Sequence, residues 1–297
     1  RGTLQALDGA TGKTKWVVNV GQRDRYSLPA GANDKYVAAI NGSNLHILDQ
    51  ENGKQVWTRQ VKGSPGAGAA LSDEHVYVPT VSGKIEVFDL EDHKRPPWYY
   101  QSTGRLLVQP TVSTNSVSWA TDRGYLYVGE RGRTGVRFRL ETGDPIVAHS
   151  TFLPPNRLFA VSMDGYAYCL HEFSGEVIWK SPIGDPISQP PLATRQAIYV
   201  VGEGSGLFCL DPDNGRNVRW ITPRITKALL DAKTGGRIDT LSGVNVDLHV
   251  TNWQTDRIFI GTTTGVLQCL HEVGAEYPTV HNIPDPDESQ RPEVIQR

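Results

Sequence analysis

One element returns along this chain at a nearly fixed interval. LQALDGATGKTKW at residues 4–16 recurs as LHILDQENGKQVW (45–57), IEVFDLEDHKRPPW (85–98), LYVGERGRTGVRF (126–138), AYCLHEFSGEVIW (167–179) and LFCLDPDNGRNVRW (207–220). A further copy, LQCLHEVGAEY (267–277), lacks the tryptophan. Aligned on the turn, the copies place Asp8, Asp49, Asp89, Glu130, His171, Asp211 and His271 at intervals of 41, 40, 41, 41, 40 and 60. Aligned on the aromatic, they place Trp16, Trp57, Trp98, Phe138, Trp179 and Trp220 at 41, 41, 40, 41 and 41. A period this regular confines the fold to stacked copies of one unit, each burying its apolar face against the next.

Each period carries a second apolar run that ends in a turn, such as HVYVPTVSG at 75–83, RLFAVSMDG at 157–165 or RIFIGTTTG at 257–265. A weaker run containing proline and serine, such as LVQPTVS or ISQPPLA, precedes it. Four short strands per period, separated by turns, make a β-propeller blade. The 30 glycines and 19 prolines agree with an all-β chain, and no long stretch shows helical periodicity. The last interval holds a half-length copy, KALLDAKTGGRIDTL at 227–241, in which Asp231 lies 20 residues after Asp211. Counting that copy predicts eight blades, and omitting it predicts seven; eight is preferred. About 20 residues are expected to be missing between Trp220 and Asp231 if the half-copy is not a true half-blade. The propeller is assigned to 1–277, and the polar, proline-rich 278–297 to a surface tail or linker.

The turn residues follow from backbone chemistry. An aspartate can accept hydrogen bonds from backbone N–H groups just after it. Gly12, Gly53, Gly175 and Gly215, four residues further on, supply a positive φ. The tryptophan offers a large face for packing between units, with an N–H that needs an acceptor.

These LxALDxxTGKxxW repeats resemble the tryptophan-docking motif of the PQQ-like β-propeller superfamily, over residues 2–277. The resemblance implies one of two roles. Quinoprotein dehydrogenases hold PQQ and calcium, and those of the alcohol dehydrogenase type stack the quinone against a disulfide of adjacent cysteines. The BamB-like branch is cofactor-free and works in the cell envelope. This chain has no Cys-Cys pair, and Cys169, Cys209 and Cys269 occupy one equivalent position in three units. The resemblance therefore implies a non-catalytic scaffold with no cofactor and no catalytic residues. Its partners would be other envelope proteins, in a periplasmic or outer-membrane-associated location, with any signal or anchor lying outside the given sequence. A PQQ- and calcium-dependent dehydrogenase and an extracytoplasmic sensor domain are the alternatives.

A net charge of −2 gives no basic surface for nucleic acid, and no apolar run is long enough to span a membrane as a helix. The two CLHE segments (169–172 and 269–272) lack zinc-ligand spacing, and GEGSG at 202–206 is expected as a turn between strands. One charge feature stands apart: Arg131, Arg133, Arg137 and Arg139 crowd the fourth unit. Arg137 and Arg139 flank Phe138, so strand alternation predicts that they share the face opposite it. These four form the candidate docking site for an acidic partner.

Overall fold

The computed structural model describes residues 2–8, 12–193, 197–202, 206–221, 246–250, 258–262 and 267–270. Their regular structure is all β, in seven antiparallel sheets that follow chain order. Sheet I has β1 (Thr3–Leu7) and β2 (Thr14–Asn19). Sheet II has β3 (Gly31–Ala32), β4 (Tyr36–Asn41), β5 (Asn44–Asp49) and β6 (Gln55–Gln60). Sheet III has β7 (Ala70–Leu71), β8 (His75–Pro79), β9 (Lys84–Asp89) and β10 (Trp98–Gln101). Sheet IV has β11 (Thr111–Val112), β12 (Ser116–Ala120), β13 (Tyr125–Glu130) and β14 (Val136–Glu141). Sheet V has β15 (Thr151–Leu153), β16 (Arg157–Val161), β17 (Tyr166–His171) and β18 (Val177–Pro182). Sheet VI has β19 (Leu192–Ala193), β20 (Ile198–Gly202), β21 (Gly206–Leu210) and β22 (Asn217–Ile221). Sheet VII has β23 (Val246–Val250), β24 (Ile258–Thr262) and β25 (Leu267–Leu270).

Sheets II to VI are four-stranded meanders, as the four runs per period predict. Their first strands stand side by side, with β7 between β3 and β11 and β15 between β11 and β19. The sheets therefore fan out from a shared inner edge, the arrangement of a β-propeller. Both Gly202 and Gly206 are strand residues paired across the turn predicted there. The half-length copy at 227–241 and the tail at 278–297 lie outside the described residues.

The core is a series of layers, one at each boundary from sheet I to sheet VI. Ile40, Ile47 and Trp57 of sheet II meet Leu71, Val76 and Phe88 of sheet III. Leu126 and Val128 of sheet IV meet Leu158 and Leu170 of sheet V. Trp179 and Phe159 of sheet V meet Ile198 and Leu210 of sheet VI. Sheets II to V are covered on both faces, so β5, β9, β13 and β17 are buried at four consecutive central positions. That double covering is why their sequences read as continuous apolar runs.

The repeated turn closes as its residues predict. Asp49 Oδ1 accepts the N–H groups of Glu51 (2.9 Å) and Asn52 (3.1 Å), and Gly53 N–H returns to Asp49 O at 2.9 Å. Asp89 and Asp211 accept in the same way, and His171 Nδ1 takes the aspartate's part by accepting from Ser174 N–H at 3.2 Å. Gly53 adopts φ 72°, and a Cβ there would lie 2.8 Å from the Trp16 ring.

That contact is the joint between units. Trp16 Nε1–H donates to Gln50 O (2.9 Å), Trp57 to Leu90 O (3.1 Å) and Trp179 to Pro212 O (2.9 Å), each in the turn of the following sheet. Below each indole lies the residue four past the turn's start. It is Gly53 under Trp16 and Gly215 under Trp179, while His93 stacks on Trp57 with centroids 6.1 Å apart. In sheet IV the Phe138 ring packs the same way on Gly175. In sheet III the Tyr100 hydroxyl reaches the next turn, donating to Glu130 O at 2.5 Å.

Two sequence expectations are corrected by the strand register. Trp220 keeps the 41-residue spacing but pairs with Phe208, whereas Trp179 pairs with Cys169; Arg219 pairs with the equivalent Cys209. One extra residue between Asp211 and Trp220 has moved that tryptophan one step along the ladder. The second correction concerns Arg137. In sheet IV Val128 pairs with Phe138 and Gly129 with Val136, so Arg137 is the extra residue of a β-bulge. Simple alternation therefore does not place it with Arg139. The same bulge precedes the docking position in sheets I, II, V and VI.

Candidate partner-binding site

The structure brings Arg131, Arg133 and Arg137 to one end of sheet IV, around the 130–135 turn. Arg139 lies further along β14, opposite Tyr127. Each guanidinium has an intramolecular contact. Arg131 reaches Asp73 of sheet III (3.5 Å), and Arg133 lies 3.4 Å from Glu130. Arg137 donates to Ser116 Oγ (2.5 Å) and Asn115 O (3.2 Å), and its guanidinium carbon lies 5.1 Å from the centre of the Phe173 ring. Arg139 sits 4.4 Å over Tyr125, with Glu141 at 4.0 Å. The bulge accounts for Arg137's inward path, because an extra residue re-aims the side chain toward β12. Among the described residues Arg137 has no ion pair, so its charge is met by neutral acceptors and a ring face.

Beneath this turn lies His75, in contact range of Trp98 (centroids 5.9 Å apart) and 3.8 Å from Glu74 Oε2. Burial lowers its pKa from 6.5; Asp89 and Glu74 pull it back up, while Arg131 and Arg95 push it down. The folded protein thus binds this proton more weakly than the unfolded chain. Its contribution to stability is complete above pH 6.5 and is lost as pH falls through the lower folded value. We expect the His75 imidazole resonances to titrate with a midpoint below 6.5, and His75→Gln to flatten the acid limb of the stability profile. A midpoint at or above 6.5 contradicts the burial argument.

Cys169 is buried in the layer between sheets V and VI. Cys169 and Cys209 are not joined by a disulfide, and burial pushes the Cys169 thiol up to about 12. Trp16, Trp57 and Trp179 commit their indoles to the joints between sheets, and the sequence has no adjacent cysteine pair of the kind that stacks on the quinone in the alcohol dehydrogenase type. No group of three or more metal-ligating side chains gathers among the described residues.

Reading single residues missed the exposed apolar side chains of sheets IV and V. Val136, Phe173, Val177 and Ile178 are all exposed. The signal that finds them is comparison of equivalent positions from copy to copy, not hydrophobicity along one strand.

Sheets joined by aromatic rings docked on the next unit's turn define a PQQ-like β-propeller. Within that class the chain belongs to the family of the outer membrane protein assembly factor BamB, whose profile matches residues 1–155 and 147–238. A BamB of Burkholderia pseudomallei is 26% identical, covering 70% of this chain and 58% of that protein. The BamB of Shewanella oneidensis is 23% identical, covering 82% of this chain and 68% of its own length. Among solved structures, BamB from Moraxella catarrhalis superposes with a TM-score of 0.65 at 17% identity, covering 91% of this chain and 77% of that one. The computationally designed Ika8 protein superposes with a TM-score of 0.67 at 13% identity, which speaks to fold alone.

Proposed function

We propose that this chain is a non-catalytic scaffold of the cell envelope that holds other envelope proteins during outer-membrane protein assembly. The observation that carries the reading is the family match, which spans residues 1–155 and 147–238. A periplasmic or outer-membrane-associated location follows from that role. Arg131, Arg133, Arg137 and Arg139 are proposed as partner-binding residues. Arg133 is the most available, with its side chain 76% exposed. A rigid disc suits this work, since sheets locked to their neighbours present their loops in fixed relative positions.

Deleting the gene in the bacterium that carries it is expected to lower the β-barrel proteins recovered in isolated outer membranes. The intact chain should restore them, and R131A/R133A should restore them less well at equal abundance. Unchanged outer-membrane protein levels on deletion, together with saturable quenching of tryptophan fluorescence by PQQ and calcium, would replace this reading with the dehydrogenase one.

A further inference from the structure

The joint between sheets III and IV is built differently from its neighbours. The second strand of each sheet opens on a residue paired with the start of its own turn: Tyr36 with Asp49, His75 with Asp89, Ser116 with Glu130 and Arg157 with His171. In sheet V this residue, Arg157, reaches the following turn, donating to Pro212 O at 2.6 Å and pairing with Asp213 at 2.7 Å. A cation at that position thus meets an acid two residues past the start of the next turn. In sheet III the position holds His75, and the residue two past the start of the next turn is Gly132. A Cβ on Gly132 would lie 3.8 Å from His75 Cε1, so the backbone of that turn passes close over the imidazole.

The surroundings suit a neutral ring better than a charged one. The His75 side chain is 13% exposed, and its Nδ1 is buried without a hydrogen bond. Trp98 lies edge-on to it, and Tyr77 is its neighbour on β8. The phenols of Tyr77 and Tyr100, held above their ordinary value by burial, stay neutral. Four charges act on the ring: Asp89, Glu74 and Arg95 from sheet III and Arg131 from the sheet IV turn. Asp89 is committed to the N–H groups of Glu91 and Asp92, and Glu74, 3.8 Å away, is screened by water with its side chain 71% exposed. Burial outweighs their pull on the proton. Glu130, the acid of the sheet IV turn, is paired with Arg133. That turn is lightly held: residues 132–135 are exposed, Arg131 reaches Asp73 at 3.5 Å, and Tyr100 donates to Glu130 O.

We propose that this joint is an acid-sensitive latch: a proton on His75 lifts the 130–135 turn away from sheet III. Lifting admits water to the ring, so the open turn takes the proton that the closed one resists, and each step favours the other. The latch is fully closed above pH 6.5 and loses its hold as pH falls from there through the lower value of the closed state. Because the turn carries Arg131 and Arg133, acid changes how those side chains are presented, a consequence that rests on the scaffold reading.

The test follows the order of the turn's backbone by NMR relaxation of the amides of residues 131–133, between about pH 8 and about pH 5. The parent is expected to lose order there as His75 titrates, while Glu51 and Asn52 in the sheet II turn keep theirs. His75→Gln, which cannot be charged, should keep the turn ordered throughout. Gly132→Asp supplies the acid that sheet VI carries at Asp213 and should hold the turn closed in acid. Gly132→Asn, placed at the same φ of 76° but uncharged, should lose order as the parent does. The latch is refuted by a turn that stays ordered through the His75 titration, by equal loss in His75→Gln, by equal behaviour of the two Gly132 variants, or by loss shared with the sheet II turn. These readings are taken on the chain alone, so failure of the latch leaves the scaffold reading to the gene-deletion experiment.

Discussion

Trp57→Ala is expected to destabilise the protein by about 4 kcal/mol, the range for deleting a large buried aromatic. Trp57 is 6% exposed and packs in the layer between sheets II and III, where it stacks on His93. Two losses combine in the alanine variant. The first is the ring's apolar burial, together with the cavity left behind. The second is the hydrogen bond to Leu90 O at 3.1 Å, which leaves a carbonyl without its partner at a closed joint. Trp57→Phe separates them, since it keeps most of the packing and removes only the donor, for an expected cost of about 1 kcal/mol. Sheet IV already lives with phenylalanine at this position, in Phe138, which shows that a ring without an N–H can close the joint. Denaturant unfolding of both variants measures the difference. An alanine variant as stable as the phenylalanine one would mean that the joint carries little of the stability.

The second large effect lies at the inner edge. An added methyl on Gly66 would sit 2.0 Å from the backbone oxygen of Leu106, in the segment leading into sheet IV. Real Cβ atoms do not approach a carbonyl so closely, and a backbone atom held in the next unit cannot swing aside as a side-chain tip can. Gly66→Ala is therefore expected to cost about 2 kcal/mol or more by forcing two sheets apart. The expected signature is a lowered melting temperature with little change in the exposed turns. Gly135→Ala provides the contrast, because nothing lies within 4 Å of a Cβ there. If the two alanine variants melt alike, the inner edge is looser than the contact implies.

The parts of this fold that are legible in the sequence are those fixed by local chemistry. Asp49, Gly53 and Trp57 report their roles because an acceptor, a positive φ and a large ring are each needed within a few residues of one another. What escapes is set by pairing between strands. The bulge at Lys15, Val56, Arg137 and Ile178 leaves no mark in composition, since the register skips whichever residue stands there. Trp220 shows the opposite failure: it keeps perfect time along the chain and loses its place in the ladder. In sheet III, Pro96 and Pro97 occupy the loop before Trp98, the ladder starts without a bulge, and Tyr100 provides the link to the next turn. At the candidate site the arginines are visible in the sequence, but their division between one turn and the far part of β14 is not. The valines and Phe173 become visible only when copies are compared position by position, because each alone resembles ordinary core.

The direction of the tryptophan joints has a consequence for the order in which the protein can assemble. Trp16 awaits an acceptor 34 residues downstream, and Trp57 and Trp179 await theirs 33 residues downstream. As the chain emerges from the ribosome, no such sheet can be sealed by the residues made before it. Each is completed only by its successor, so maturation trails synthesis by nearly one repeat. A chain stalled after Trp16, Trp57 or Trp179 would display an unsealed indole at its growing end, a ready handle for whatever guards nascent protein.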